Sequence, residues 1–114
     1  MTHDTVQRIE ANIANSKEIV EHARALHRLC ENRDFRKVIK EGYLEKEAIR
    51  LVHLRGDPAF QTPERQAAVL GQIDAIGQLL SYFRTVEHNA QVALKAIEQD
   101  EAVREEILAE ELSK

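Results

Sequence analysis

Stripe positions in the first segment are Ile9, Ile13, Val20, Ala23, His27 and Cys30, at spacings of 4, 7, 3, 4 and 3. That is the period of a helix with a narrow inward face, running from Thr2 or Asp4 to about Glu31. Either residue can start it, because its side-chain oxygen accepts from an amide that the first turn leaves unpaired. Ser16 interrupts the stripe, and Leu26 and Leu29 widen it near its end. The front of this helix is therefore expected to project or pack loosely, and its end to enter the core.

Asn32-Arg33-Asp34 breaks the pattern, since Asn and Asp favour caps and turns. A short helix is expected over 34–41, with Phe35, Val38 and Ile39 inward. Gly42 is expected to end it in the left-handed conformation. A further helix is expected over 43–54, because Leu44, Ala48, Leu51 and Val52 fall at i, i+4, i+7 and i+8. Gly56 and Pro58 then mark a loop from Arg55 to Gln61. Its Arg-Gly-Asp triplet reads as part of that loop and not as an adhesion motif. Thr62-Pro63-Glu64 is a strong helix start: a capping hydroxyl, a proline where no amide hydrogen is needed, and an acid at the positive end of the dipole.

From Pro63 the chain reads as one helix to about Leu112. Val69, Ile73, Ile76, Leu80 and Phe83 alternate by 4 and 3, a coiled-coil repeat. The same frame continues through Glu87, Ala90, Leu94 and Ile97, then meets Glu101 and Arg104 at inward sites. Such a helix, roughly 70 Å long, exceeds the diameter of a compact domain of this size. It must be supported by the first helix, by another copy or by a partner. Gly71 and Gly77 within it read either as neutral surface positions or as points of close approach by a neighbouring helix.

Composition agrees with the pattern. Only four Gly and two Pro occur in 114 residues, and aromatic residues make up 4%. The abundance of Ala, Glu, Gln, Leu, Ile, Arg and Lys favours helix over sheet. The expected fold is all-α: two long antiparallel helices, 4–31 and 63–112, with two short helices capping one end of the bundle. Leu26, Leu29, Phe35, Val38, Ile39, Leu51, Val52, Phe60, Ile73, Ile76, Leu80 and Phe83 are the expected core. Residues 1–97 form the expected bundle domain, and 98–114 an acidic helical extension.

Charge changes the picture more than composition does. The net charge of −4 is unevenly spread. Residues 24–55 hold nine basic and five acidic residues, and 98–114 hold two basic and seven acidic ones. The acidic set is Glu98, Asp100, Glu101, Glu105, Glu106, Glu110 and Glu111. Both segments read first as solvated helix faces, and second as surfaces for two different neighbours.

Little points to catalysis. His22 and His27 stand five apart, which is not the i, i+4 spacing of a helical metal pair, and no Glu-x-x-His motif occurs. Cys30 with His27 gives one pair at i, i+3, with no second pair to complete a metal site. Cys30 itself lies on the stripe, where a free cysteine is usually a small hydrophobe. The glycines are too scattered for a phosphate loop. No enzyme and no cofactor are expected. The basic segment brackets two short helices joined near Gly42, the outline of a helix-turn-helix, with Arg33, Arg36, Lys37 and Lys40 as candidate phosphate contacts. Against this, the chain as a whole is acidic, and Glu45 and Glu47 stand where base contacts would be expected.

The stretch Asp34-Phe-Arg-Lys-Val-Ile-Lys-Glu-Gly-Tyr43, with Glu47-Ala-Ile-Arg-Leu-Val-His-Leu54, Asp57-Pro58, Gln72-Ile-Asp-Ala-Ile-Gly77 and Tyr82-Phe83, resembles small helical proteins encoded by tailed bacteriophages among their head and packaging genes. The resemblance covers about residues 29–112 and brings no functional residues with it. It implies a phage particle, its assembly line, or a phage protein acting in the infected cell. Residues 1–10 lack the apolar core of a secretory signal, and no apolar run nears the roughly 20 residues that cross a bilayer. The expected location is therefore the virion or the cytoplasm of the infected host. The expected function is that of a structural or assembly component acting by helix packing, as a homo-oligomer or on capsid, portal or packaging proteins. Val69, Ile73, Leu80, Ala90, Leu94 and Ile97 are its expected interface, and the acidic set its contact to a basic partner. The alternatives are a small DNA-recognition subunit of a packaging machine, or an inhibitor of a host protein.

Overall fold

A computed structural model describes residues 2–114. Among these residues there is no strand, and the chain is all-α. Helix α1 spans Thr2–Glu31 and α2 Arg33–Phe35. A π-helical segment follows over Arg36–Glu47, then α3 over Ala48–Arg55. A 3-10 turn, Pro58–Phe60, precedes α4, Pro63–Leu112. The chain divides into two compact units: residues 1–25 with 85–114, and residues 26–84.

In the second unit the two short helices expected on either side of Gly42 are one continuous helical run, from Arg33 to Arg55. No described residue, glycine included, has a positive φ. Gly42 is therefore not a left-handed stop, and the helix-turn-helix outline is absent. The reason lies in the apolar period. Phe35, Ile39, Tyr43, Leu44 and Ala48 are the half-buried apolar side chains over 33–48, beside half-buried Gly42 and Glu47. They recur every four to five residues, which suits a π turn of roughly 4.4 residues better than an α turn. Widening the turn swings Val38 outward, where it is 63% exposed. Val52, on the following α turns, is also exposed, and Leu51 takes the inward position instead. The run starts at Asn32, whose Oδ1 accepts from the Phe35 amide at 3.0 Å; the cap is thus Asn32 and not Asp34.

Leu51, Val69 and Ile76 form the buried centre of this unit, with Tyr43, Leu44, Ala48, Leu54, Phe60 and Ile73 packed against them. Phe35 meets Phe83 with ring centroids 6.3 Å apart, a tilted pair. Leu26, Phe35, Ile39, Phe60, Ile73, Leu80 and Phe83 are half-buried. Leu29, expected inside, is exposed. The loop between α3 and α4 is closed by side-chain amides. Gln66 Nε2 donates to the carbonyls of Arg55 at 2.9 Å and Phe60 at 2.6 Å. Gln61 Nε2 donates to those of Arg55 at 2.9 Å and Asp57 at 2.8 Å. Both amide hydrogens of each glutamine are used, so carbonyls that a helix end leaves unpaired are satisfied. Asp57 of the Arg-Gly-Asp triplet accepts from the Ala59 amide at 2.9 Å, a local cap within the loop. Thr62 caps α4 through the Arg65 amide at 3.3 Å, and the Arg65 guanidinium lies 5.4 Å from the centroid of the Phe60 ring.

In the first unit Ile9, Ile13, Val20 and Ala23 of α1 are buried, as are Val86, Ala90 and Ala93 of α4. The front of α1 is therefore packed and does not project. On α1 Ser16 takes the half-buried site between Ile13 and Val20, so the stripe is continuous through a small polar residue. After Ala23 it passes to Leu26, and His27 is exposed. On α4 the expected frame holds to Phe83 and then advances by three residues to Val86 instead of four to Glu87. An added three-residue step overwinds a coiled-coil seam locally. The shifted frame runs Val86, Ala90, Ala93, Ile97, Asp100, Arg104 and Ile107, all buried or half-buried. Glu87 and Leu94 are thereby exposed, whereas Ala90 and Ile97 belong to both frames.

Glycine substitutions separate these environments. A Cβ at Gly42 would lie 3.2 Å from the Lys37 carbonyl oxygen, whereas Gly71 and Gly77 have nothing within 4 Å. No helix of the chain approaches the latter two closely. Gly71→Ala and Gly77→Ala should each raise stability by up to about 1 kcal/mol, the ordinary helical gain. Gly42→Ala should show no such gain and lower the melting temperature. Leu51→Ala should cost about 2–5 kcal/mol in denaturant unfolding. Exposed Val52→Ala should change stability by no more than about 0.5 kcal/mol.

Candidate functional site

No enclosed reactive centre emerges. Among the described residues no group of three or more His, Cys, Asp or Glu side chains could hold a metal ion. Cys30 is a free, half-buried cysteine, while His27, its partner in sequence spacing, is exposed. Among the described residues no buried side-chain nitrogen or oxygen lacks a hydrogen-bond partner. The exposed features are aliphatic, basic and acidic surfaces.

The six aliphatic interface candidates do not share one environment. Val69 is 2% exposed and Ile73 half-buried, both in the core of the second unit. Leu80 and Ile97 are half-buried and Ala90 is buried. Only Leu94, 50% exposed, keeps half of its surface open. The other exposed aliphatic residues of α4 are Val92, Val103, Leu108 and Leu112. Leu94, Glu101 and Leu108 follow one another at heptad spacing along one flank of the buried seam. Asn89, Ala96 and Val103 do so along the other. α1 contributes exposed Ile19. Leu94, expected at the interface, lies on a flank and not in the seam, and Val103 and Leu108 are flank positions that the sequence frame did not single out, because each flank is defined by its distance from the seam.

The basic candidates Arg33, Arg36, Lys37 and Lys40 are all exposed. Arg33, Arg36 and Lys37, with Glu41, line a shallow depression of about 320 Å³. One Arg36 guanidinium nitrogen donates to the Glu31 carbonyl at 3.4 Å, and Arg50 pairs with Glu47. Arg36, Lys40, Ile49 and Val52 fall on one side of the run when a π turn is followed by α turns. This side therefore mixes positive charge with exposed Ile49 and Val52.

Of the acidic set, Glu98, Glu105, Glu106, Glu110 and Glu111 are exposed, and Asp100 and Glu101 are half-buried. Residues 98–114 belong to the same compact unit as 1–25. Glu110 and Glu111 line a depression of about 230 Å³ with Thr2, Thr5, Ile107 and Lys114. Leu108 and Leu112 stand one turn apart on the outer side, the latter 89% exposed. No helix of the described chain is long and apolar enough to cross a membrane. Compared with protein-family models, curated proteins and solved structures, the chain gives no match.

Proposed function

We propose that this chain is a structural or assembly component of a tailed-bacteriophage particle, acting in the head, portal or packaging region by helix-mediated protein–protein binding. The observation that carries the binding role is the aliphatic residues left exposed beside a filled seam on α4, Leu94 and Leu108 on one flank and Val103 on the other, with Val92 just outside it. A solvated helix of 50 residues has no need of such flanks, whereas a helix that meets further helices uses them. The phage context rests on the resemblance over residues 29–112.

In this reading α1 and α4 run antiparallel as a coiled-coil pair in the first unit. The depression that Thr2 and Thr5 share with Ile107, Glu110, Glu111 and Lys114 supports that direction, because it brings the start of α1 beside the end of α4. The small residues Ala23, Ala90 and Ala93 suit two helices at short separation. The pair then presents its flanks to another copy or to a capsid, portal or packaging protein. The particle, or the cytoplasm of the infected cell, is where such contacts would form.

Leu94→Glu combined with Val103→Glu tests the role. Both sites are exposed, so the melting temperature should stay within a few degrees of the parent. Light scattering on the eluting protein should report loss of self-association, or pull-down from infected cells loss of the captured phage protein. Unchanged association and capture would remove the flanks from the interface.

A second reading, a DNA-recognition subunit of the packaging machine, is favoured by one observation, the exposure of Arg33, Arg36, Lys37 and Lys40 around a single depression. If it holds, the protein retards duplex DNA in a gel at low salt, and Arg36→Glu with Lys37→Glu abolishes the retardation. No retardation by the parent protein at ~50 mM salt would end this reading.

A further inference from the structure

We infer that the basic side of residues 36–52 is a docking face for the acidic end of α4 of a second copy. This rests on the proposal that the chain works by helix-mediated binding, and it names the partner.

The argument starts from the face itself. Arg36, Lys40, Ile49 and Val52 lie on one side of the π-to-α run, with exposed Glu45 among them as the one acid, and Ile49 and Val52 are 57% and 61% exposed. An exposed aliphatic pair thus stands beside two cations and one acid, a side of net positive charge. Its counterpart in chemistry is on the page. Near the end of α4, Leu108 and Leu112 stand at i, i+4, with Glu105 and Glu111 flanking them. Leu108 and Leu112 are 45% and 89% exposed. Each surface is thus an aliphatic pair edged by charge, and the signs are opposite. The segments around them carry opposite excess charge as well, nine basic against five acidic residues in 24–55 and two against seven in 98–114.

Complementary charge brings the two surfaces together in register, and apolar burial holds them. Face on end sets each sign against the other, whether reciprocally in a two-fold dimer or repeated head to tail in a ring or filament.

A charge-swap experiment on the full-length protein tests this. One variant carries Arg36→Glu and Lys40→Glu, the other Glu105→Lys and Glu111→Lys. All four sites are exposed, and circular dichroism with thermal melting verifies that both variants fold. Mass by light scattering is measured at ~50 mM and ~500 mM salt. The parent should exceed the monomer mass at low salt and fall toward it at high salt. Each variant alone should remain monomeric at the same concentration. An equimolar mixture should regain association, because the acidic face of one now meets the basic end of the other. Recovery only on mixing excludes a contact made within a single chain.

A parent that is monomeric at low salt overturns the inference, and so does a mixture that stays monomeric. So does a parent that is monomeric while its basic face retards DNA, since the face then serves phosphate. An oligomer indifferent to salt and to both reversals, yet lost in Leu94→Glu with Val103→Glu, overturns the inference while leaving helix-mediated binding in place. A parent whose association survives both the charge reversals and the flank substitutions removes both.

Discussion

A helix of 50 residues buries its apolar side only if something lies along it, and this chain has one other long helix with which to do so. α4 therefore contributes to both compact units, supplying Val69 and Ile76 to one and Val86, Ala90 and Ala93 to the other. In one unit the cover comes from the run 33–55 and the turn at Phe60, with large side chains such as Leu51 filling the space. The other unit buries Ile9, Ile13, Val20 and Ala23 of α1 with Val86 and the small residues Ala90 and Ala93 of α4. Small residues bury little area each, so the contribution per turn is modest and the stability of that unit is spread over its length. The three-residue step from Phe83 to Val86 falls next to the division between the units, where α4 passes from large to small inward residues.

The π-helical segment follows from the same demand for cover. Phe35, Ile39, Tyr43, Leu44 and Ala48 can share one side only if the turn is wider than an α turn. Twelve residues adopt it, an unusual length for this geometry. Gly42 fits the middle of the segment because a side chain there would crowd the Lys37 carbonyl. The wider turn has a second effect: it gathers Arg36 and Lys40 on the side where Ile49 and Val52 follow. A feature set by packing thus shapes the charged surface on which the docking proposal rests.

Among the described residues no polar or charged side chain is buried, and charge lies at the surface. In the proposed reading the exposed aliphatic flanks meet another helix, and the opposite charges of 24–55 and 98–114 would make that association responsive to salt, speeding the encounter more than tightening the complex.

The sequence by itself determined the all-α class, the loop from Arg55 to Gln61, the start of α4 at Thr62-Pro63-Glu64 and the inward residues Ile9, Ile13, Val20 and Ala23, because these follow from propensity, capping and local period. It also located the basic and acidic segments, which are properties of composition. What it could not decide was phase. Val86 or Glu87, Ala93 or Leu94, Leu26 or His27 are pairs one residue apart, and a pattern tolerant by one residue fits both. The turn width at 36–47 was equally hidden, since Val38 and Ile39 are both apolar and an α frame takes either inward. Only the tertiary structure chose, because the side that turns inward is fixed by which neighbour covers it, and a neighbour distant in sequence leaves no mark on local spacing.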